Sequence, residues 1–214
     1  MFFSKPFFSL FLLLASINCI AAPMTFKSST VVMGEGAKDF KRLELSHAVT
    51  GKESFGLRSF SAKGKQQKVK GNSFFYLKRL KRINQINSQT NLWLYLELGK
   101  MNLKSTAQIN SHTYLSPTIQ FDYETKRIYK SISHQILRGE HENFDRTQIK
   151  SGFSFYETSY DETQPWFILE IINTNSLSKN ISVVPTLRLI NKSLFFEAGM
   201  SMEGDPKLHL MYTF

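Results

Sequence analysis

The chain has 214 residues, enough for one domain with a sizeable core. Its formal charge of +10 points to an anionic surface, to nucleic acid, or to basic loops. The one cysteine, Cys19, lies in the leader described next. The mature chain therefore has no thiol, which excludes a disulfide scaffold, a cysteine nucleophile and a cysteine metal site.

Residues 1–22 read as a cleaved signal peptide: Lys5 near the start, an apolar run from Phe7 to Leu14, and small residues before Pro23. That run is too short for a membrane span, which needs about 20 residues. Removing the leader takes one lysine and no acid, so the formal charge falls from +10 to +9. Export makes nucleic acid an improbable partner, and no nucleic-acid motif accompanies the basic residues.

Residues 23–214 form one domain in which side-chain character repeats every second residue, the period of a strand with two unlike faces. The expected strands are 24–32, 40–49, 54–62, 72–80, 90–101, 115–124, 127–138, 147–157, 165–173, 181–190, 193–202 and 207–214. Leu43 and Leu45 surround Glu44, and Phe55 and Leu57 precede Arg58 after a turn at Gly51-Lys52. Phe75 and Leu77 are assigned to the apolar face of the fourth strand, which leaves Lys78 on the polar side. Leu92, Leu94, Leu96 and Leu98 alternate with Trp93, Tyr95, Glu97 and Gly99. Phe121 and Tyr123 flank Asp122, Phe153 and Phe155 continue the pattern, and Leu169 and Ile171 flank Glu170. Leu187 and Leu189 flank Arg188, and Phe196 and Ala198 flank Glu197.

Tight turns at 51–52, 125–126 and 191–192 alternate with longer polar links near 61–72, 100–112, 138–146 and 173–180. Short turns at one end and long loops at the other fit a transmembrane barrel. The fold class is thus all-β, a closed antiparallel transmembrane β-barrel. Twelve strands are expected, with ten as the alternative because 24–32 and 72–80 carry the weakest patterns.

The last strand reads backwards as Phe214, Tyr212, Leu210 and Leu208, with His209 and Lys207 among the residues between. It resembles the C-terminal strand of Gram-negative outer-membrane β-barrel proteins. The resemblance implies an outer-membrane location, recognition of these four residues by the barrel assembly machinery, and closure against the first strand.

On this reading the apolar face meets outer-membrane lipid and the other face fills the lumen. The lumen set is Arg42, Glu44, Arg58, Lys78, Glu97, Asp122, Glu170, Arg188, Glu197 and His209. Charges inside a barrel must be paired or wet. A charge-lined interior implies a narrow channel for a small solute, or a structural or surface-interaction barrel. Tyr76, Tyr95, Tyr114, Tyr123, Tyr129, Tyr156, Trp93, Trp166 and Tyr212 are expected near strand ends, as an interfacial girdle. Lys63, Lys65, Lys68 and Lys70 are expected in an outward loop that could touch lipopolysaccharide.

Two other readings stay open: a lipid-modifying enzyme at the outer rim, of deacylase or acyltransferase type, and a soluble periplasmic ligand-binding barrel with the polar face outside. Ser46 and His47 are neighbours on one strand and point to opposite faces, so they make no nucleophile–base pair. Glu140, His141, Glu142 and Asp145 match no standard metal-ligand spacing. No catalytic, metal or cofactor residue is assigned.

Overall fold

The computed structural model describes residues 26–63, 68–104, 109–140, 143–159, 161–175 and 181–214. The leader, Cys19, Lys65, His141 and Glu142 lie outside the described residues. Twelve strands are present: β1 (Thr30–Ala37), β2 (Phe40–Ala48), β3 (Glu53–Lys63), β4 (Lys68–Asn84), β5 (Ser88–Lys104) and β6 (Ile109–Thr125), then β7 (Ile128–Gly139), β8 (Asn143–Ser154), β9 (Gln164–Thr174), β10 (Ser182–Asn191), β11 (Leu194–Met200) and β12 (Pro206–Thr213). Each pairs antiparallel with its chain neighbour, and β1 pairs with β12 to close the barrel. Closure leaves no unpaired edge, the condition for a sheet to cross hydrocarbon.

The outer wall is apolar over its membrane-spanning zone. Leu92, Leu94, Leu96 and Leu98 face out from β5, while Asn91, Trp93, Tyr95 and Glu97 are buried inside. Leu43, Leu57, Phe121, Ile132, Ile149, Phe167, Leu187 and Leu210 continue the exposed band around the other strands. In water such a band would be a very large apolar patch. The barrel therefore stands in a bilayer, which excludes the soluble barrel.

The links differ from the expected pattern in an informative way. The short turns fall at the end that holds Thr30 and Thr213, but residues 155–163 make a longer link there too. At the opposite end the expected long loops are mostly strand. β4, β5 and β6 have 17 residues each, about 55 Å at the usual rise per residue. A membrane-spanning strand needs only about 9–11 residues, so these strands rise well above the apolar band.

The alternation persists in the extension but its sense reverses. Above Leu98, Lys100 and Asn102 face out and Met101 faces in. Above Phe74, Asn72, Lys70 and Lys68 face out while Gly71 and Val69 face in. With water outside, the interior becomes the apolar side. Phe60, Ala62, Val69, Met101, Tyr114, Leu137 and Phe144 pack as one buried cluster, with Phe40 against it. The polar side chains of Lys63, Lys68, Lys70, Asn72, Lys100 and Asn102, which suggest loops by composition, are outward positions of a continuing ladder.

Three other positions depart from the sequence reading. The first strand is Thr30–Ala37, not 24–32. Its Gly34-Glu35-Gly36 segment carries no apolar alternation, yet it pairs on both sides with β2 and β12. Phe75 and Leu77 face the interior, and Phe74 and Tyr76 face out. A Cβ at Gly56 would come within 2.5 Å of the Phe75 ring, so the inward ring fits because a glycine stands opposite. Finally, of the expected girdle, Trp93, Tyr95, Tyr114 and Trp166 are buried inside, whereas Tyr156 and Tyr212 are exposed on the outside.

Replacing Leu94 or Leu96 with arginine should destabilise the barrel by about 2–4 kcal/mol near the bilayer midplane. Reversible denaturant unfolding in lipid vesicles measures this. A loss below about 1 kcal/mol would contradict a lipid-facing β5.

Candidate functional site: the charged belt inside the barrel

Below the apolar cluster, the inward positions of the strands carry ionised side chains at a common level. They form an unbroken chain of alternating sign around much of the wall. Glu97 on β5 pairs with Arg58 on β3, and Arg58 Nε donates to Glu44 Oε1 on β2 at 2.8 Å. Arg42 Nε lies 3.0 Å from Glu44 Oε1, without hydrogen-bond alignment, and Arg42 Nη2 lies 2.9 Å from Glu35 Oε2 on β1. Lys207 on β12 links Glu35, at 3.3 Å, to Glu170 Oε2 on β9, at 2.6 Å. Lys150 on β8 lies 3.9 Å from Glu170 and 3.1 Å from Glu197 on β11. Arg188 on β10 ends the chain, with Nη2 at 2.8 Å from Glu197 Oε1.

One contact crosses the barrel. Arg146 on β8 donates to Glu35 Oε1 on β1 at 3.1 Å, although β8 and β1 stand five strands apart by the shorter way round. Its guanidinium also lies 4.6 Å from the Phe40 ring centre on β2. Glu35 thereby receives Arg42, Arg146 and Lys207, a hub that ties three parts of the wall together.

The carboxylates are well satisfied. Glu97 Oε1 accepts from Ser73 Oγ and Tyr114 OH, each at 2.6 Å. Glu197 Oε2 lies 3.1 Å from His209 Nδ1, and Glu170 also accepts from the Gln148 amide. The cations rest on rings: Arg58 lies 4.9 Å from the centre of Phe75, and Arg188 lies 4.2 Å from that of Tyr129. Pairing, hydrogen bonding and ring contact together offset the cost of removing these charges from bulk water.

Of the sequence-derived lumen set, Arg42, Glu44, Arg58, Glu97, Glu170, Arg188, Glu197 and His209 lie in this belt. Asp122 also faces in, but stands apart: it accepts from Asn91 Nδ2 at 2.7 Å and from the Trp93 indole at 2.5 Å. Lys78 is a correction. It is on the outer wall beside Glu53, at 3.2 Å, because the inward places of β4 there belong to Phe75 and Leu77. The sequence reading missed Glu35, Arg146, Lys150 and Lys207. The alternation that placed His209 inward also places Lys207, so that signal was present. Glu35 hid between two glycines, and Arg146 lay in a stretch read as loop.

The far wall is different. β6 and β7 present Ser116, Thr118, Gln120, Ser131, Ser133 and Gln135, and the Gln135 amide donates to Ser116 Oγ at 3.0 Å. Between the two walls lie cavities of about 70 and 110 Å³, room for a few waters. Neutral side chains line most of this space, and of the charged belt the most open members are cations. Arg42 is 20% exposed, Lys150 12% and Arg146 10%, whereas Glu35, Glu44, Glu97, Glu170 and Glu197 are at most 4% exposed.

Among the described residues, no three His, Cys, Asp or Glu side chains gather as a metal site. Ser46 is buried inside while His47 faces out and contacts Thr30 at 3.0 Å. At the outer end, Lys38 bonds Asp205 at 2.8 Å, and that bond holds the lysine above its ordinary pKa.

Solved structures share this fold at low sequence identity. A KdgM porin in complex with disordered oligogalacturonate aligns over 87% of this chain and 99% of its own, at 12% identity and a TM-score of 0.51. A second KdgM porin structure aligns over the same shares at 13% identity and a TM-score of 0.46. OmpT, an outer-membrane protein of Vibrio cholerae, aligns over 87% of this chain at 7% identity and a TM-score of 0.31. No protein-family model and no curated protein sequence matches. The molecule is a closed antiparallel transmembrane β-barrel of twelve strands whose fold resembles that of a KdgM porin.

Replacing Glu97 with alanine removes the acceptor shared by Arg58, Ser73 and Tyr114. The expected cost is about 3–5 kcal/mol, as for a buried ion pair that loses one member. Tyr114→Phe should cost less, about 0.5–1.5 kcal/mol for one hydrogen bond. Denaturant unfolding in vesicles measures both, and equal losses would contradict the shared-acceptor geometry.

Proposed function

We propose that the protein is a non-enzymatic, narrow channel of the Gram-negative outer membrane, constricted by its charged belt and favouring small anions. One observation carries this reading: in the belt the most open charges are cations while the belt carboxylates lie behind them, with Glu124 an inward carboxylate nearer the end that holds Thr30. At the belt, an entering anion meets donors that are already in place, and a cation meets carboxylates already taken by partners. The hydroxyls and amides of β6 and β7 supply further hydrogen bonds to a hydrated or saccharide solute. The porin fold supports a channel over a lipid-modifying enzyme. The oligogalacturonate held by a KdgM porin makes an acidic saccharide one solute to try.

A second reading, a structural or surface-interaction barrel, draws on the apolar cluster across the outer part of the interior and on the bridge from Arg146 to Glu35. Apolar constrictions hold a pore shut by excluding water. Planar-bilayer recording separates the two. The channel reading expects small, infrequent openings that favour chloride over potassium, and larger ones in Leu137→Ser with Phe144→Ser. A preference for potassium would overturn the anion assignment. Silence in both the parent and the double variant would establish the structural reading.

The closing strand belongs to the same proposal. Leu208, Leu210, Tyr212 and Phe214 face outward near the seam with β1, where assembly machinery could read them before closure. Deleting Phe214 should reduce the yield of heat-modifiable barrel in the outer membrane, and an unchanged yield would contradict this role.

A further inference from the structure

The outer wall of β2–β6 carries a cluster of unbalanced positive charge just above the apolar band. Cross-strand neighbours give three rows. The lowest, Leu45, Leu57, Phe74, Leu98 and Leu115, is wholly apolar. The next holds Leu43, Ser59, Asn72, Lys100 and Thr113, and the one above holds Lys41, Ser61, Lys70, Asn102 and Ser111. Lys63 and Lys68 face each other one step higher. All five lysines are exposed, and among the described residues none has an ion-pair partner. The nearest carboxylate in sequence and pairing is Asp39, whose backbone carbonyl accepts from Lys63 N–H. Other outer-end cations on the adjoining elements are matched: Arg138 on β7 with Asp145 at 2.5 Å, and Lys38, between β1 and β2, with Asp205 at 2.8 Å.

A shallow groove of about 630 Å³ lies where these rows meet. Leu57, Phe74 and Leu98 form its apolar edge, and Asn72, Lys100 and Thr113 its polar edge. The apolar edge is continuous with the lipid-facing band. The polar edge lies beyond that band at the end opposite Thr30 and Thr213, the end that faces the cell exterior in an outer-membrane barrel whose termini lie in the periplasm.

We propose that this groove binds one molecule of the phosphorylated glycolipid of the outer leaflet, lipopolysaccharide. Its acyl chains lie along Leu57, Phe74 and Leu98. Its sugar phosphates meet Lys100 and Lys70, with Lys41, Lys63 and Lys68 around them. Charge complementarity selects an anionic headgroup. The adjoining amide and hydroxyl side chains of Asn72, Asn102, Ser111 and Thr113 suit a sugar-bearing lipid over one with a small headgroup. Of the lysines expected to lie in a loop, Lys63, Lys68 and Lys70 thus act from strand positions, where the ladder fixes their spacing. The site is on the outer face and is independent of whether the lumen conducts.

Native mass spectrometry of the full mature barrel tests it, with bisphosphorylated lipid A, its dephosphorylated form, phosphatidylglycerol and inorganic phosphate as separate probes. The expected result is one retained bisphosphorylated lipid A, held about tenfold more tightly than either other lipid, a factor that corresponds to about 1.4 kcal/mol. Inorganic phosphate alone should show no retained adduct. The exposed pair Lys70→Gln and Lys100→Gln should reduce lipid A retention about tenfold while the barrel keeps its heat-modifiable shift. Lys130→Gln, lower on the outer wall, should change nothing. Equal retention of dephosphorylated lipid A or of phosphatidylglycerol, or full retention by the double variant, would overturn the proposal.

Discussion

What lies outside the wall decides what can lie inside it. A β-barrel has only two faces, and the side chains of each strand are dealt to them in turn. Where hydrocarbon lies outside, the apolar residues go out and the charges are forced inward. Where water lies outside, the same ladder reverses its sense. β5 makes the change within three residues, from outward Leu98 with inward Glu97 to outward Lys100 with inward Met101. The height of that change sets the membrane boundary, the level of the charged belt and the position of the apolar cluster above it.

The belt follows from that constraint. Ten or so ionised groups inside a narrow barrel are tolerable only when neighbours alternate in sign and the remaining lone pairs are filled. The chain from Glu97 through Glu35 to Arg188 meets that condition, and the crossing from Arg146 draws two far walls together. The same order gives the lumen its chemistry. Carboxylates anchored behind cations leave positive groups at the water, although the inward charges nearly cancel.

Much of this was legible in the sequence. Period-2 runs located most strands, and the odd count of clear strands required a twelfth. The dyad pattern around Glu44, Glu97, Glu170, Arg188 and Glu197 placed those charges inside because each is flanked by apolar residues. Where that contrast failed, so did the reading. Glu35 has glycine on both sides and gave no signal. Phe74, Phe75, Tyr76 and Leu77 are apolar on both faces, so the face of Lys78 depended on a packing detail, the Phe75 ring against Gly56. The polar stretches around Lys68 and Arg146 looked like loops because polarity was read without asking which residues alternate with it. No sequence rule would have paired Arg146 with Glu35, which are 111 positions apart and meet only because the sheet closes.

The claim on which most depends is that the belt spans the lumen through Glu35 and Arg146. A double-mutant cycle, with Glu35→Gln and Arg146→Gln singly and together, tests it by reversible folding into lipid vesicles. The structure predicts a coupling of about 1–3 kcal/mol, the range for residues in one ion-pair network. Additive effects, within about 0.5 kcal/mol, would mean that the two side chains do not meet and that the lumen is not bridged at this level.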